Sequence, residues 1–309
     1  MSFLIQCATK FNFTLTLGGL ILFFNVAEAR QVSVKTYDYA VKGGETLYMD
    51  VYQSKQVSEK QPVLVFMHGG GFYAGTPKHP SNVKMGEMVA ERGFTAILIS
   101  YRLTRKGGSF GCDYSADGKV ETFKLASEDF FDAVQFIKDN QDKLKVDFSS
   151  LYVGGSSAGA EAVLNAIYNA ELLFDKDESY PKFDYSGILS LAGAILDVRF
   201  IPEDLNIPTV FFHGIDDNLV PYESAPHHLC SPDKPGYLML DGSKTMANKL
   251  EKMNTSYSLN AYKNSGHEIS GIPFDNIDEI LDFFKATKST NRRSEEHTSE
   301  LQSQPIISY

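Results

Sequence analysis

Hydrophobic residues along the chain follow two patterns that alternate, short continuous runs and longer stretches with helical spacing. The continuous runs lie at residues 62–67, 94–100, 151–153, 187–191 and 208–212. Such runs are typical of parallel strands that are buried on both faces. Apolar residues recur every three or four positions at residues 123–140, 158–170 and 275–288. This spacing predicts amphipathic helices. Strands that alternate with helices predict a mostly parallel sheet with helices on both faces, an α/β fold.

The first part of the mature chain has a different pattern. Residues 32–41 and 46–52 are alternating or β-branched runs, and two glycines, Gly43 and Gly44, lie between them. This arrangement predicts two strands joined by a tight turn. We therefore expect an antiparallel N-terminal hairpin beside the mostly parallel sheet.

Both ends of the chain are predicted to lie outside the domain. Residues 1–29 have the features of a secretory signal peptide, with Lys10, an apolar stretch and an Ala-x-Ala cleavage site at residues 27–29. Polar residues interrupt that stretch, which is shorter than the roughly 20 residues of a spanning helix. We expect a secreted or periplasmic protein with no membrane span after signal cleavage.

At the other end, residues 293–309 resemble the translation of a sequencing adapter and are predicted to be a non-native tail. The remaining residues, 30–292, suit a single α/β domain.

Charge and cysteine content narrow the function further. The chain has a formal net charge of −10 with dispersed acidic residues, which argues against a nucleic-acid partner.

Cys7 lies in the predicted signal peptide, so the mature chain has two cysteines, Cys112 and Cys230. Two cysteines in a secreted protein are compatible with a disulfide or with two free thiols, and the sequence does not decide between them. The sequence also does not determine the oligomeric state.

Four motifs follow predicted strands: HGGG at residues 68–71, GSSAG at 155–159, HGIDDNLVP at 213–221 and SGH at 265–267. Because the carboxyl ends of parallel strands meet at one edge of a sheet, we expect the motifs to converge there. The central serine of GSSAG, Ser157, is predicted to protrude from a strained turn between a strand and a helix as a nucleophile. Ser156 is predicted to point away.

In this chain order, serine, acid and histidine, the motifs resemble those of α/β-hydrolases of the carboxylesterase and lipase kind. The resemblance runs from about residue 37 to residue 288 and implies the α/β-hydrolase fold. It also implies that His267 is the base. The acid of related hydrolases is the fifth residue of H-G-x-x-D-x-x-V-P, which is Asp217 here, whereas Asp216 is one residue out of register. Asp197 is a more distant alternative.

The HGGG loop adds the last part of the predicted site. By resemblance to the family, the backbone amides of Gly70, Gly71 and Ala158 form an oxyanion hole. Each such donor lowers the activation free energy of the reaction by roughly 2.7–4 kcal/mol. This chemistry requires no metal and no cofactor.

The other histidines have weaker predictions. His68 is expected to brace the oxyanion loop, and His213 to be hydrogen-bonded at a strand end. The adjacent pair His227 and His228, in a predicted insertion at residues 222–254, is a weak metal signal and is expected to be solvated surface.

The sequence therefore predicts a secreted serine esterase that forms an acyl-enzyme. Its substrates would be small-molecule or polysaccharide-linked esters, acetyl and feruloyl esters among them by analogy with secreted relatives. Two alternatives stay open. One is a serine peptidase of the prolyl-oligopeptidase type, although such enzymes usually recruit a tyrosine for the oxyanion and carry a propeller domain. The other is a catalytically inactive binding module on a hydrolase fold, although such modules typically lose the serine or the histidine.

Overall fold

Twelve strands and seven α-helices make up the part of the chain that the computed structural model describes, residues 31–175, 180–289 and 294–300. The strands are β1 (Val32–Lys42), β2 (Glu45–Ser54), β3 (Gln61–Met67), β4 (Thr95–Ile99), β5 (Val146–Ser156), β6 (Gly187–Leu191), β7 (Ala194–Ile195), β8 (Thr209–Gly214), β9 (Ser224–Pro226), β10 (Met239–Gly242), β11 (Tyr257–Lys263) and β12 (Ser294–Glu300). The helices are α1 (Pro80–Glu91), α2 (Ala116–Asp139), α3 (Gln141–Leu144), α4 (Ala158–Tyr168), α5 (Ala170–Leu173), α6 (Ser243–Lys252) and α7 (Ile277–Ser289).

Nine of these strands form one sheet in the order β1-β2-β4-β3-β5-β6-β8-β11-β12. The hairpin β1–β2 is antiparallel, and β2 pairs antiparallel with β4. The remaining neighbours, from β4 to β12, are parallel. The predicted mostly parallel sheet and its N-terminal hairpin are therefore confirmed. A small antiparallel sheet, β7-β10-β9, lies beside the main one.

Helices cover both faces of the main sheet, and this arrangement explains the continuous apolar runs. On β3, Leu64 and Phe66 pack in a core with the buried residues of α1 and α7. Val65, the residue between them, packs in the other core with α2, α4 and α6. Because neighbouring strand residues point to opposite faces, a strand buried on both sides needs an apolar residue at every position.

Two segments differ from the sequence-based expectation. Helix α2 begins at Ala116 rather than at residue 123, because the side chain of Ser115 accepts a hydrogen bond from the backbone N–H of Gly118 and caps the helix there. Residues 222–254, predicted to be an insertion, contain α6, whose residues Met246 and Leu250 are buried in the core. The insertion itself stays a prediction, and its helix α6 contributes to the core of the domain.

The predicted ends of the domain are only partly within the described residues. The predicted signal peptide, residues 1–29, lies outside them. Ser294–Glu300, assigned from the sequence to a non-native tail, forms the edge strand β12 beside β11. The non-native origin of that segment stays a prediction. In the described ranges, no helix combines the length and the apolar character needed to cross a membrane.

Candidate active site

Ser157 lies in a strained turn between β5, which ends at Ser156, and α4, which begins at Ala158. Its backbone has a φ of 51° and a ψ of −123°, a region that residues other than glycine rarely adopt. Close packing holds the turn in place: a Cβ on Gly159 would lie 2.2 Å from the carbonyl oxygen of Met67, at the end of β3. The turn therefore presents Ser157 at the N-terminus of a helix, where the helix dipole favours negative charge.

Three predicted residues from separate loops meet at this turn. The hydroxyl oxygen of Ser157 lies 2.7 Å from Nε2 of His267. Nδ1 of His267 lies 2.7 Å from Oδ2 of Asp217. Asp217 follows β8 and His267 follows β11, the neighbouring parallel strand, so the sheet register brings both loops to the same edge. The structure thus forms a continuous hydrogen-bonded chain from hydroxyl to imidazole to carboxylate.

The Asp217 carboxylate is fully buried and has several hydrogen-bond partners. Its Oδ1 atom accepts hydrogen bonds from the backbone N–H groups of Leu219 (2.9 Å) and Val220 (3.0 Å). Burial alone would raise the pKa of this carboxyl, but hydrogen bonds from His213 and His267 outweigh it and hold the pKa of Asp217 well below its usual range. Asp217 is therefore ionised at neutral pH.

The two alternative acids lie elsewhere. Asp216 is exposed, and its backbone N–H donates to the carbonyl of Ser265. Asp197 caps a short 3₁₀ turn and forms an ion pair with Arg199. Neither carboxylate takes part in the chain that contains His267.

The HGGG loop lies next to Ser157 and has a special backbone conformation. Gly70 has a φ of 123°, and a Cβ there would lie 2.2 Å from the carbonyl oxygen of Ala74, so a side chain does not fit. Among the described residues, none accepts a hydrogen bond from the backbone N–H of Gly70, Gly71 or Ala158. All three predicted oxyanion donors are therefore free to bind a ligand.

Two aromatic rings support this loop from behind. The ring of Tyr101 stacks on His68 with centroids 4.5 Å apart, and its hydroxyl donates to the backbone carbonyl of His68. The ring of His68 donates from Nδ1 to the carbonyl of Gly69. Burial lowers the pKa of His68 to about 4, so this ring is neutral at pH 7 and acts as a structural support. Ser156 likewise points away from Ser157, and its buried hydroxyl donates to the carbonyl of Ser270.

A disulfide joins two loops beside the site. Cys112 and Cys230 are bonded, with Cα atoms 5.3 Å apart. Cys112 lies in the loop between β4 and α2, and Cys230 follows β9. The backbone N–H of Gly236 also donates to the carbonyl of Cys112. These contacts tie the two loops together.

The prediction that His227 is solvated is wrong. His227 is completely buried, with Nε2 3.3 Å from Oε1 of Glu161. The fully buried Lys119 lies nearby and donates from Nζ to the carbonyl of Gly236. Glu161 follows Ser157 by four residues, and a glutamate within the mostly apolar α4 was the available sequence signal for this cluster. His228 is half-buried. Within the described ranges, no group of three or more His, Cys, Asp or Glu residues could hold a metal ion.

The chain is similar to known esterases in sequence and structure. A family model described as BD-FAE matches residues 49–205. Para-nitrobenzyl esterase from Bacillus subtilis is 29% identical over 136 residues, which are 43% of this chain and 27% of that protein. Gut esterase 1 from Caenorhabditis briggsae is 28% identical over 121 residues, 39% of this chain and 21% of that protein. The chain thus spans about a quarter of the length of these curated relatives.

Among solved structures, esterase 2 of Thermogutta terrifontis phosphonylated by cyclosarin has a TM-score of 0.58 at 18% identity, and the match covers 84% of this chain and 96% of that one. The propionate-bound form of that esterase has a TM-score of 0.56 at 16% identity, with 83% and 92% covered. These neighbours confirm the predicted α/β-hydrolase fold.

Proposed function

The chain belongs to the BD-FAE family, and from this premise we propose that it is a serine carboxylesterase that works through an acyl-enzyme. The observation that carries the proposal is the hydrogen-bonded chain from Ser157 through His267 to Asp217, with 2.7 Å at both links. A serine hydroxyl is a weak nucleophile until a neighbouring base accepts its proton, and the geometry of His267 suits that role.

In the first half of the reaction, the hydroxyl oxygen of Ser157 bonds to the ester carbonyl carbon while Nε2 of His267 takes the hydroxyl proton. The carbonyl oxygen becomes an oxyanion, which the free N–H groups of Gly70, Gly71 and Ala158 would stabilise. The carbon–oxygen bond to the alcohol then breaks, and His267 returns the proton to the leaving alcohol. Ser157 is left as an acyl ester.

In the second half, His267 takes a proton from water, and the hydroxide that forms attacks the acyl carbon. Collapse of this second intermediate releases the carboxylic acid and returns the proton to Ser157. Through both halves Asp217 holds the imidazole in the tautomer that exposes Nε2 to the serine, and its negative charge stabilises the imidazolium. The fully buried carboxylate is suited to this role because its backbone donors fix its orientation.

The substrate and the cellular location are parts of the same proposal. We place the enzyme outside the cytoplasm on the basis of the predicted signal peptide and of a disulfide, a bond typical of oxidising compartments. We propose small-molecule or polysaccharide-linked esters as substrates, acetyl and feruloyl esters among them.

The test is a panel of nitrophenyl esters of increasing acyl length together with acetylated xylan and methyl ferulate. We expect hydrolysis of at least the short esters and its loss, by several orders of magnitude, in Ser157→Ala. A fluorophosphonate probe should label the wild type at Ser157 and leave the Ser157→Ala variant unlabelled. Intact folded protein that neither hydrolyses an ester nor reacts with the probe would favour the inactive binding module. Cleavage of prolyl peptides in preference to esters would favour the peptidase.

A further inference from the structure

Residues 227–230, which we call the rim turn, have an unusual backbone next to the proposed catalytic residues. His228 and Leu229 have φ values of 57° and 49°, the left-handed region that side-chain-bearing residues rarely adopt. Such a conformation is strained and persists only where the surroundings enforce it. Because two consecutive residues adopt this conformation, we expect the groups that the rim turn exposes to have a functional role.

Several contacts enforce the conformation. The backbone N–H of His227 donates to the carbonyl of Leu238, and Cys230 anchors the end of the rim turn through the disulfide. Beneath the turn, the side chain of His227 is buried against Glu161, which belongs to the same helix that begins beside Ser157. The rim turn is therefore fixed both to α4 and, through the disulfide, to the loop between β4 and α2.

One residue connects the rim turn to the proposed acid. The backbone N–H of Leu219 donates to Oδ1 of Asp217, and the carbonyl of Leu219 accepts from the backbone N–H of His228 at 2.8 Å. His267 and Asp217 are also among the groups that influence the pKa of the His228 ring, in opposite directions. His228 is thus joined through Leu219 to the turn that carries Asp217.

The His228 ring is available to a ligand. It is partly exposed, and neither of its nitrogens forms a hydrogen bond with another described residue. Burial, with the neighbouring His227 and Lys119 as lesser causes, lowers the pKa of His228 to about 3. The ring is therefore neutral at pH 7, with one donor and one acceptor nitrogen. Such a ring suits a hydroxyl group, which can donate and accept a hydrogen bond.

The proposed reaction indicates which part of the substrate lies near His267. In the proposed reaction, His267 returns its proton to the leaving alcohol, so the alcohol must lie next to His267. Resting on the proposed function, we infer that His228 is a specificity-determining residue that hydrogen-bonds a second hydroxyl of the leaving alcohol. The enzyme would then prefer esters of polyhydroxylated alcohols to esters of alkyl alcohols of the same size.

A matched pair of substrates tests this inference: 2-hydroxyethyl acetate and propyl acetate, which differ only in a terminal hydroxyl against a methyl group. The first variant is His228→Gly, because glycine adopts the left-handed backbone without strain and removes only the ring. We expect kcat/KM for the hydroxyethyl ester to fall about three- to tenfold, the effect of one neutral hydrogen bond, and that for the propyl ester to change less than twofold. His228→Asn, which keeps a donor and an acceptor and tolerates this backbone, should restore most of the preference.

Asn254→Gly is the control, because Asn254 has a φ of 59° and is exposed at the end of α6, outside the site. It should leave the ratio of the two kcat/KM values unchanged. Equal losses on both esters in His228→Gly, or no loss on either, would overturn the inference while the esterase proposal stands. Hydrolysis of neither ester by the wild type, with no reaction of the fluorophosphonate probe, would instead overturn the proposed function.

Discussion

His213 lies 3.4 Å from the carboxylate of Asp217. This acid therefore faces two imidazole rings, those of His213 and His267. Nε2 of His213 also donates to the carbonyl of Val220, at 3.1 Å, and Nδ1 therefore accepts from the hydroxyl of Ser243. These partners fix the orientation of the His213 ring within the turn that carries the acid. The histidine that begins the HGIDDNLVP motif thus contacts the same carboxylate oxygen of Asp217, Oδ2, as His267 does.

Removal of the His213 ring should impair catalysis and stability together. In His213→Leu the hydroxyl of Ser243 and the carbonyl of Val220 lose their partner in a fully buried place, so we expect a loss of about 1–3 kcal/mol in the free energy of unfolding. We also expect kcat for a nitrophenyl ester to fall about tenfold or more, because the turn that carries Asp217 is no longer fixed. Urea unfolding and steady-state kinetics measure the two effects.

His79→Ala serves as the comparison, because His79 caps α1 and is not among the hydrogen-bond partners that the described residues provide to Asp217. It should lower stability by about 1 kcal/mol and leave kcat unchanged. If His213→Leu likewise lost stability at an unchanged kcat, His213 would have no part in positioning the acid.

The two neighbouring aspartates should differ sharply in their effect on turnover. An amide at position 217 can hold the imidazole of His267 in the wrong tautomer, and in the worked serine-protease case this costs on the order of 10⁴ in kcat. Asp217→Asn is therefore expected to lose several orders of magnitude, whereas the exposed Asp216→Asn should stay within about threefold of the wild type. Comparable losses in the two variants, measured on one nitrophenyl ester, would contradict the assignment of the acid.

Stability should also depend on pH through Asp217. Its pKa is lowered in the folded protein, so its contribution is fully present above the ordinary aspartate pKa of about 3.9 and is lost as the pH falls toward the lowered value. The free energy of unfolding of the wild type should therefore exceed that of Asp217→Asn by a constant amount between about pH 5 and pH 7, and the difference should shrink below about pH 4. Urea unfolding at a series of pH values measures this difference, and a difference that widens towards acid pH would rule out the lowered pKa.

The fold could be predicted from the sequence wherever burial on both faces leaves a continuous apolar run. Strand β6 has the predicted bounds, residues 187–191, and β3 differs by one residue. Helix α1 was not predicted because Gly86 and several polar residues weaken its apolar stripe, and its start depends on the caps Pro80 and His79. Helix starts of this kind depend on single side-chain contacts, which periodicity does not reveal.

The candidate site could be predicted for a different reason, because the geometry of a strand–turn–helix restricts the residues at Ser157 and its neighbours to a recognisable motif. The environment of His227 could not be predicted in this way. A polar residue is normally exposed, and this one is buried only because Glu161, far away in sequence, lies opposite it. The same holds for the cysteines, whose pairing depends on where two distant loops meet.

The last prediction concerns the disulfide between Cys112 and Cys230, which are 118 residues apart. In the chain-entropy model, a bridge over a loop of this length restricts the unfolded chain and stabilises the fold by at most about 4–5 kcal/mol, and typical measured values are about 2–4 kcal/mol. The double variant Cys112→Ser/Cys230→Ser should therefore unfold at a lower temperature than the wild type. A reducing agent should lower the melting temperature of the wild type and leave that of the double variant unchanged.

The bridge also anchors the rim turn that carries His228. The double variant should therefore lose part of the preference for 2-hydroxyethyl acetate, whereas its Ser157 should still react with a fluorophosphonate probe. Thiol counting on unreduced protein from an oxidising compartment provides the direct check, and two free thiols per chain would show that the bridge does not form there.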